Sequence, residues 1–371
     1  MGFGIARLRL PRYRGVGDDG SNRTKNKRVG RMIMSLNRRH EWQWMPLLFA
    51  AALLFAGSAK AETRTVRIAT QYGISYLPMT IIAEKNLLEA EGKKRGLDLK
   101  AEWVRFTGGP PMNEALISGN LDFASGGVGP LVTIWARTKD NLKVKGIAAL
   151  NSMPLWLNSI NPSVKMLKDF TDKDRIALPA VRVSMQAVIL QMAAEKEFGA
   201  GQQHKLDPWT VSLSHPDGLA QMMSGKSEIT AHFTSAPFMY QELEDKRVHR
   251  VLNSYDVFGG PHTFNVVWAT AKLYEGEPKV VQAFLAALRT AMKEVNEDPA
   301  SSAALWVKAD KSKLTPAEAE KIIRDKDNTW TMTPQKVMVV ADYMTRVGMV
   351  PAKATNWKDM FVSDIHELPG S

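Results

Sequence analysis

The chain has 371 residues, with 49 Lys and Arg against 38 Asp and Glu, a formal charge of +11 and no cysteine. The first 61 residues hold 12 of the basic and 3 of the acidic side chains, so residues 62–371 carry a formal charge of only +2. This balance gives no reason to expect nucleic acid as a partner, because nucleic-acid-binding domains are strongly basic. The lack of cysteine excludes disulfides, thiolate metal sites and a lipid-modified N-terminal cysteine.

The N-terminal segment has the features of an export signal. An apolar run at 45–56 is preceded by two arginines and followed by Ala59 and Ala61. The run is too short to span a bilayer, which needs about 20 residues, and its flanks are typical of a secretory signal peptide. We expect a leader at 1–61, with the signal peptide at about 34–61 and the upstream part untranslated or unfolded. Cleavage after Ala61 would place the product in the periplasm.

From residue 66 onward, short apolar strands alternate with glycine-containing loops and helices. In the first part of the chain, strands are predicted at 66–69, 97–104, 121–124 and 143–151, with helices at 78–92 and from 112 to a C-terminal Gly119. The last of these helices follows Gly108 and Gly109, and the strand at 121–124 is followed by Gly126 and Gly127. The order strand, loop, helix favours a mostly parallel sheet with helices on its faces.

The middle of the chain repeats this order, and the end is helical. Strands are predicted at 175–178, 211–213 and 229–233, helices at 183–198 and 215–225, and return strands into the first lobe at 248–252 and 264–269. Helical periodicity dominates from Pro278, with a helix start at Thr315. We therefore expect lobe one to comprise 62–153 and 262–371, and lobe two 154–261. The two crossing segments would form a hinge.

Four short matches recur in the same order about a hundred residues apart. Arg67-Ile68-Ala69 corresponds to Arg175-Ile176-Ala177, and each leads to a loop serine. Ser118-Gly119 is followed three residues later by Asp122, and Ser224-Gly225 in the same way by Glu228. The repeat indicates two lobes of one β-loop-α design, and paired α/β lobes usually bind a ligand between them.

Several motifs resemble catalytic or nucleotide-binding signatures but do not fit them. Gly127-Val128-Gly129 lacks the third glycine of a dinucleotide fingerprint, and Gly218 and Gly225 are seven residues apart where a phosphate loop needs five. His215 and Asp217 next to Ser214 are typical of a turn and a helix N-cap. The seven histidines show no paired metal spacing. We expect no enzyme activity, no cofactor and no metal.

The cleft loops instead have the composition of a binding site. Helix N-termini predicted at 108–112, 129–131 and 183–186 offer backbone N–H groups, which bind anions without a charged side chain. Arg182 is the one cation expected in a cleft loop, and a solvated surface position is an equal alternative for it. The expected ligand-binding residues are Gln71, Tyr72, Ser75, Tyr76, Thr107, Gly108, Gly109, Gly126, Gly127, Arg182, Ser184, Gln186, Thr234 and Ser235, with Trp156 and Phe233 as further apolar walls.

Four segments resemble the nitrate/sulfonate/taurine family of ABC-importer solute-binding proteins: IATQYG at 68–73, FTGGP at 106–110, EALISGNLDFA at 114–124 and SAPF at 235–238. The resemblance covers roughly residues 64–350. It implies a type II periplasmic-binding-protein fold, an α/β fold of two hinged lobes with the ligand cleft between them. It also implies a periplasmic protein that captures a small organic or inorganic anion, of the sulfonate, taurine or nitrate class. The partners would be that ligand and an ABC permease with its ATPase subunits, and we expect a monomer.

Other functions of the same fold remain open at this point. The fold family includes a thiamine-pyrimidine synthase with a cysteine-rich iron site, against which the lack of cysteine argues strongly. An extracytoplasmic ligand sensor and a binder of a neutral heterocycle, such as a pyrimidine, are alternatives that the sequence does not exclude.

Overall fold

The computed structural model describes residues 62–371, which contain two α/β lobes, each built on a five-stranded layer. The expected signal peptide and its cleavage site lie outside the described residues. Within 62–371, no helix has both the length and the apolar character needed to cross a membrane.

Strands and helices alternate as the sequence predicts, but the strand at Trp156–Ser159 has no counterpart in the prediction. The strands are β1 (Arg64–Thr70), β2 (Leu99–Arg105), β3 (Ala124–Gly127), β4 (Lys145–Ala149), β5 (Trp156–Ser159), β6 (Ile176–Leu178), β7 (Thr210–Ser212), β8 (Ala231–Thr234), β9 (His249–Asn253) and β10 (Asn265–Ala269). The helices are α1 (Leu77–Glu84), α2 (Leu87–Lys94), α3 (Gly109–Ile117), α4 (Val128–Thr138), α5 (Met185–Phe198), α6 (His215–Ser224), α7 (Phe238–Leu243), α8 (Ser254–Phe258), α9 (Ala271–Tyr274), α10 (Pro278–Glu297), α11 (Pro299–Asp310), α12 (Pro316–Ile323) and α13 (Val337–Arg346).

The two sheets have the same strand order. In lobe one, the pair β2-β1 continues into β3-β10-β4 through a parallel bridge between Ile68 and Phe123. In lobe two, the order is β7-β6-β8-β5-β9. The fourth strand of each layer, β10 or β5, runs antiparallel to both of its neighbours. The chain passes from β4 to β5 and from β9 back to β10, so it crosses between the lobes twice.

One predicted strand belongs to a different sheet from the one expected. The segment 248–252 was predicted to return to lobe one, but β9 pairs with β5 in lobe two. Its residues Leu252 and Arg250 are partners of Leu157 and Asn158. An alternating pattern specifies a strand but not its partner, so only the segment that becomes β10 makes the return.

Local boundaries also differ from the prediction in two places. The helix predicted at 78–92 is divided into α1 and α2, because Asn86 adopts a left-handed conformation with φ of 50°. The third strand is displaced toward the C-terminus, so that Ser125, Gly126 and Gly127 pair with β10. Trp268 of β10 packs within 3.0 Å of the position that a Cβ of Gly126 would occupy, so the glycine that suggested a loop permits a close strand contact.

The C-terminal helices cover lobe one, as their periodicity predicts. The amphipathic helix α10 buries Val280, Phe284 and Leu288, and the Phe284 ring stacks on Phe123 at a centroid distance of 4.4 Å. Burial of one such side chain contributes about 1.5–3 kcal/mol. The predicted helix start at Thr315 is confirmed by a capping box, in which Thr315 and Glu318 exchange side-chain to backbone hydrogen bonds.

Candidate functional site

A cleft lies where the loops at the carboxyl ends of β1, β2, β3, β6 and β7 meet, the position at which open α/β sheets bind ligands. Lobe one and the returning strand contribute Gln71, Tyr72, Tyr76, Gly109, Gly127, Pro130, Phe264 and Asn265. Lobe two contributes Pro179, Ser184, Met185, Gln186 and His215. None of these side chains carries a permanent charge, so any charged ligand would depend on neutral donors or on a titratable group.

The lobes are in close contact around the cleft, which has a volume of about 20 Å³. A Cβ added to Gly127 would lie 2.5 Å from the Cβ of Met185, and one added to Gly108 would lie 3.0 Å from the carbonyl oxygen of Pro179. The backbone N–H of Ile74 donates to the carbonyl of Ala236 at 3.2 Å. The space holds about one water molecule, so a larger ligand requires the lobes to separate.

The lobe-one wall is built from neutral hydrogen bonds. Gln71 Nε2 donates to the carbonyl of Ser125 at 3.1 Å, and Asn265 Nδ2 donates to the Tyr76 hydroxyl at 3.0 Å. Burial raises the pKa of the Tyr76 phenol far above its ordinary value. Tyr76 is therefore a neutral hydroxyl that accepts from Asn265 and keeps its own hydrogen for another acceptor.

The helix ends provide fewer backbone donors than the sequence predicts. Helix α3 begins with Gly109-Pro110-Pro111, and α4 begins with Val128-Gly129-Pro130. Proline has no N–H, so three of these six first-turn positions cannot donate. In α5 the hydroxyl of Ser184 accepts from the N–H of Ala187 at 3.2 Å. The expected anion site at helix ends is thus reduced to a few N–H groups.

The lobe-two wall contains a buried hydrogen-bonded row behind His215. His215 Nδ1 lies 3.2 Å from His232 Nε2 and 3.0 Å from Thr234 Oγ1, and its Nε2 lies 3.3 Å from Gln186 Nε2. His232 Nδ1 lies 2.5 Å from Glu242 Oε1. Burial, and then the neighbouring His232, lower the pKa of His215 well below its ordinary value, so its ring is neutral here.

Glu242 forms the inner end of this row. Both Glu242 and His232 are fully buried, with 0% of their surface exposed. The second carboxylate oxygen of Glu242 accepts from Asn158 Nδ2 at 2.8 Å. A buried carboxylate is tolerated only when it is paired and hydrogen-bonded, so His232 donates its Nδ1 hydrogen to Glu242. We call His215, His232 and Glu242 the histidine network.

Comparison with known proteins identifies the fold. No family model matches the chain. It is similar to a putative aliphatic sulfonates-binding protein of Bacillus subtilis (strain 168), 33% identical over 95 residues that cover 23% of this chain and 27% of that protein. The alkanesulfonate-binding protein of Xanthomonas axonopodis pv. citri, bound to MOPS, has a TM-score of 0.62 at 18% identity, covering 79% of this chain and 96% of its own. The periplasmic nitrate-binding protein of Synechocystis PCC 6803 has a TM-score of 0.62 at 15% identity, covering 80% and 84%.

The chain has the periplasmic-binding-protein fold. The α/β fold of two lobes predicted from the sequence is confirmed, and so is the resemblance to sulfonate- and nitrate-binding proteins. The chain spans only about a quarter of the length of the curated relative that it matches. These relatives are described as binding proteins, in line with the expectation that the chain is not an enzyme.

In this periplasmic-binding-protein fold, half of the expected site residues line the cleft. They are Gln71, Tyr72, Tyr76, Gly109, Gly127, Ser184 and Gln186. Others lie directly behind the lining: Gly126 beneath Gln71, Gly108 against Pro179, and Thr234 against His215. Ser75 and Ser235 are buried, and their hydroxyl oxygens have no hydrogen-bond partner within residues 62–371.

The remaining expected residues are not among those that line the cleft. The Arg182 side chain is 76% exposed, with Nε 3.9 Å from a carboxylate oxygen of Asp207, and Thr107 is exposed. Trp156 is not a cleft wall, because it packs against Tyr240 and beneath the guanidinium of Arg250. Phe233 is not a cleft wall either, since it is completely buried in the core.

Sequence reasoning missed six lining residues: Pro130, Pro179, Met185, His215, Phe264 and Asn265. His215 follows the helix N-cap Ser214, which hid its second role as a lining residue. A signal was present in the sequence, because His232 lies within a predicted apolar strand and a buried histidine requires a partner. Arg105 was also missed; its guanidinium lies over the Tyr72 ring at 5.2 Å and is paired with Asp310 at 2.7 Å.

Proposed function

We propose that the chain is the periplasmic solute-binding component of an ABC importer and captures a small anion of the sulfonate, taurine or nitrate class. The permease and its ATPase subunits would receive the ligand. The observation that carries the proposal is a cleft lined by both lobes at the carboxyl ends of both sheets. The relatives named above, which are described as binding sulfonates or nitrate, support the ligand class.

Capture would work by movement of the lobes about the two crossing segments. We assign 62–153 and 262–371 to lobe one and 154–261 to lobe two. A ligand that contacts both walls favours the closed state by its difference in affinity between the two states. The close contact between Gly127 and Met185 in this structure corresponds to such a closed state.

The anion would be held by neutral donors. From lobe one, we assign the N–H groups of Gly109, Val128 and Gly129 and the Tyr76 hydroxyl as donors to the anion. The Ser184 hydroxyl and the Gln186 amide would serve from lobe two. A second candidate ligand is a neutral heterocycle such as a pyrimidine, which is favoured by the absence of a permanent cation in the lining and by the rings of Tyr72 and Phe264.

A ligand screen tests this function. The protein beginning at Glu62 would be scanned by thermal shift with methanesulfonate, taurine, nitrate, acetate and cytosine, followed by calorimetry. We expect stabilisation by at least one of the first three ions; a ligand at a hundred times its Kd adds about 2.7 kcal/mol. Stabilisation by cytosine alone would favour the heterocycle, and no response to any compound would contradict both. Intact-mass measurement of exported protein tests cleavage after Ala61.

A further inference from the structure

The histidine network connects the interior of lobe two to the cleft. Each member comes from a different element: His215 begins α6, His232 lies in β8, and Glu242 lies in α7. Only His215 reaches the cleft lining, whereas the other two side chains are fully buried. A structural role alone would not require the row to end at the cleft.

The packing holds both imidazole rings in place. Helix α6 crosses the His232 ring so closely that a Cβ on Gly218 would lie 2.7 Å from His232 Nε2. The His215 ring stacks on Phe238 at a centroid distance of 5.5 Å. Because neither ring is free to turn away, the two rings exchange donor and acceptor roles by movement of hydrogens and not by rotation.

The row has two hydrogen-bonding states. With both rings neutral, His232 donates from Nδ1 to Glu242 and accepts at Nε2 from His215 Nδ1–H. His215 then presents a lone pair at Nε2 toward Gln186 and the cleft. One proton added to the row reverses the hydrogen bond between the two rings, so that His215 Nδ1 accepts and His215 Nε2–H becomes a donor. The charge of Glu242 compensates the added proton.

Among residues 62–371, the cleft lining contains no permanent cation, and Arg105, which lies 5.2 Å from the Tyr72 ring, is paired with Asp310. The groups that face His215 are Gln186 from α5, Thr234 from β8 and Phe238 from α7, with His232 and Glu242 behind them. On α6 itself, the Asp217 carboxylate accepts from the Ser214 hydroxyl at 2.5 Å. Across the cleft lie Tyr72 and Tyr76. Within the described cleft lining, only His215 can become a donor through a proton gained by its neighbours.

We propose that His215 is a ligand-contacting residue that determines specificity, and that binding of an anion adds one proton to the histidine network. The inference rests on the proposed function, since it requires an anionic ligand. The anion stabilises the donor state of His215 and is repelled by the lone pair of the acceptor state. A neutral ligand with an N–H donor would bind the acceptor state and take up no proton.

Calorimetry with methanesulfonate, in two buffers of different ionisation enthalpy, counts the protons. We expect uptake of up to about one proton per bound ion. Because the complex then holds one proton more than the free protein, the affinity falls as pH rises, by up to about tenfold per pH unit, over the pH range in which the complex holds the added proton and the free protein does not. Glu242→Gln should abolish the uptake, whereas His204→Gln, at an exposed histidine of lobe two, should leave it unchanged.

A measurement on the unmutated protein covers the case in which Glu242→Gln fails to fold. With ¹⁵N-labelled histidine, His215 Nε2 should be unprotonated in the free protein and protonated in the methanesulfonate complex. Binding without proton uptake, at constant affinity across this pH range, overturns the inference and leaves the proposed function intact. If methanesulfonate, taurine and nitrate all fail to bind, the proposed function fails and the inference fails with it.

Discussion

The two lobes share one scaffold but present different chemistry to the cleft. At equivalent places in the two sheets, α3 begins with Gly109-Pro110 and α6 with His215-Pro216. Helix α3 has no side-chain cap, whereas the Ser214 hydroxyl at the start of α6 accepts from the N–H of Asp217 at 3.3 Å. Lobe one therefore offers bare backbone and neutral hydroxyl and amide groups. Lobe two satisfies its own helix ends and offers titratable and hydroxyl side chains.

The two lobes share residues that maintain the scaffold, but they differ at the site. The Arg67 N–H donates to the Asp122 carboxylate at 2.7 Å, and the Arg175 guanidinium lies 3.7 Å from the Glu228 carboxylate in lobe two. Gly119 and Gly225 end α3 and α6 with positive φ of 77° and 62°, a conformation that glycine adopts without strain. The repeated acidic residues and helix-ending glycines thus maintain the fold, whereas Gly109 and His215, which differ between the lobes, line the cleft.

The largest effect on stability should come from substitution of Glu242, a buried carboxylate of lobe two. Glu242→Ala leaves His232 and Asn158 without their partner, and removal of one member of a buried pair costs about 3–5 kcal/mol. Asn265→Ala, which breaks the neutral Asn265–Tyr76 hydrogen bond of lobe one, should cost about 1–3 kcal/mol. Urea unfolding measures both. Equal losses would mean that the two walls do not differ as described.

The next effect concerns the contact between the lobes. Gly127→Ala places a Cβ 2.5 Å from that of Met185, so the closed state is strained and ligand affinity should fall by about a hundredfold. Small-angle scattering at a saturating concentration of the ligand found in the screen should show a larger radius of gyration than for the wild type. The double variant with Met185→Gly removes the opposing Cβ and should recover most of the affinity. Wild-type affinity in Gly127→Ala alone would contradict the closed arrangement.

A smaller effect distinguishes a helix cap from a ligand contact. Ser184 and Ser214 both cap helices of lobe two, but only Ser184 lines the cleft. Each change to Ala should cost about 1 kcal/mol of stability. Ser184→Ala should also weaken binding about three- to tenfold, the value of one lost hydrogen bond, whereas Ser214→Ala should leave affinity within about twofold. Equal affinities in the two variants, by calorimetry, would remove Ser184 from the site.

The sequence predicts the scaffold better than the site, for a physical reason. Apolar periodicity and the repeated Arg67 and Arg175 segments report local structure, and local structure determines the order of strands and helices. The partner of β9 and the contact of His215 with His232 depend on residues that are distant in the chain. Gly127 was expected in the site as a loop glycine, and the structure adds its close approach to Met185. The direction in which an arginine side chain points has no signature in the sequence.

Substitution of Arg182 should have the smallest effect on affinity. It tests most directly whether the ligand is bound by neutral donors. The Arg182 side chain is largely exposed and pairs loosely with Asp207, and surface pairs of this kind contribute about 0–1 kcal/mol. Arg182→Ala should therefore leave affinity within about twofold.

The backbone at Arg182 has φ of 65°, a left-handed conformation that costs a residue with a Cβ about 1 kcal/mol. Arg182→Gly should raise the free energy of unfolding by about that amount, while Arg182→Ala should not. Loss of two orders of magnitude in affinity in both variants would place a charge-paired site at Arg182 and contradict binding by neutral donors.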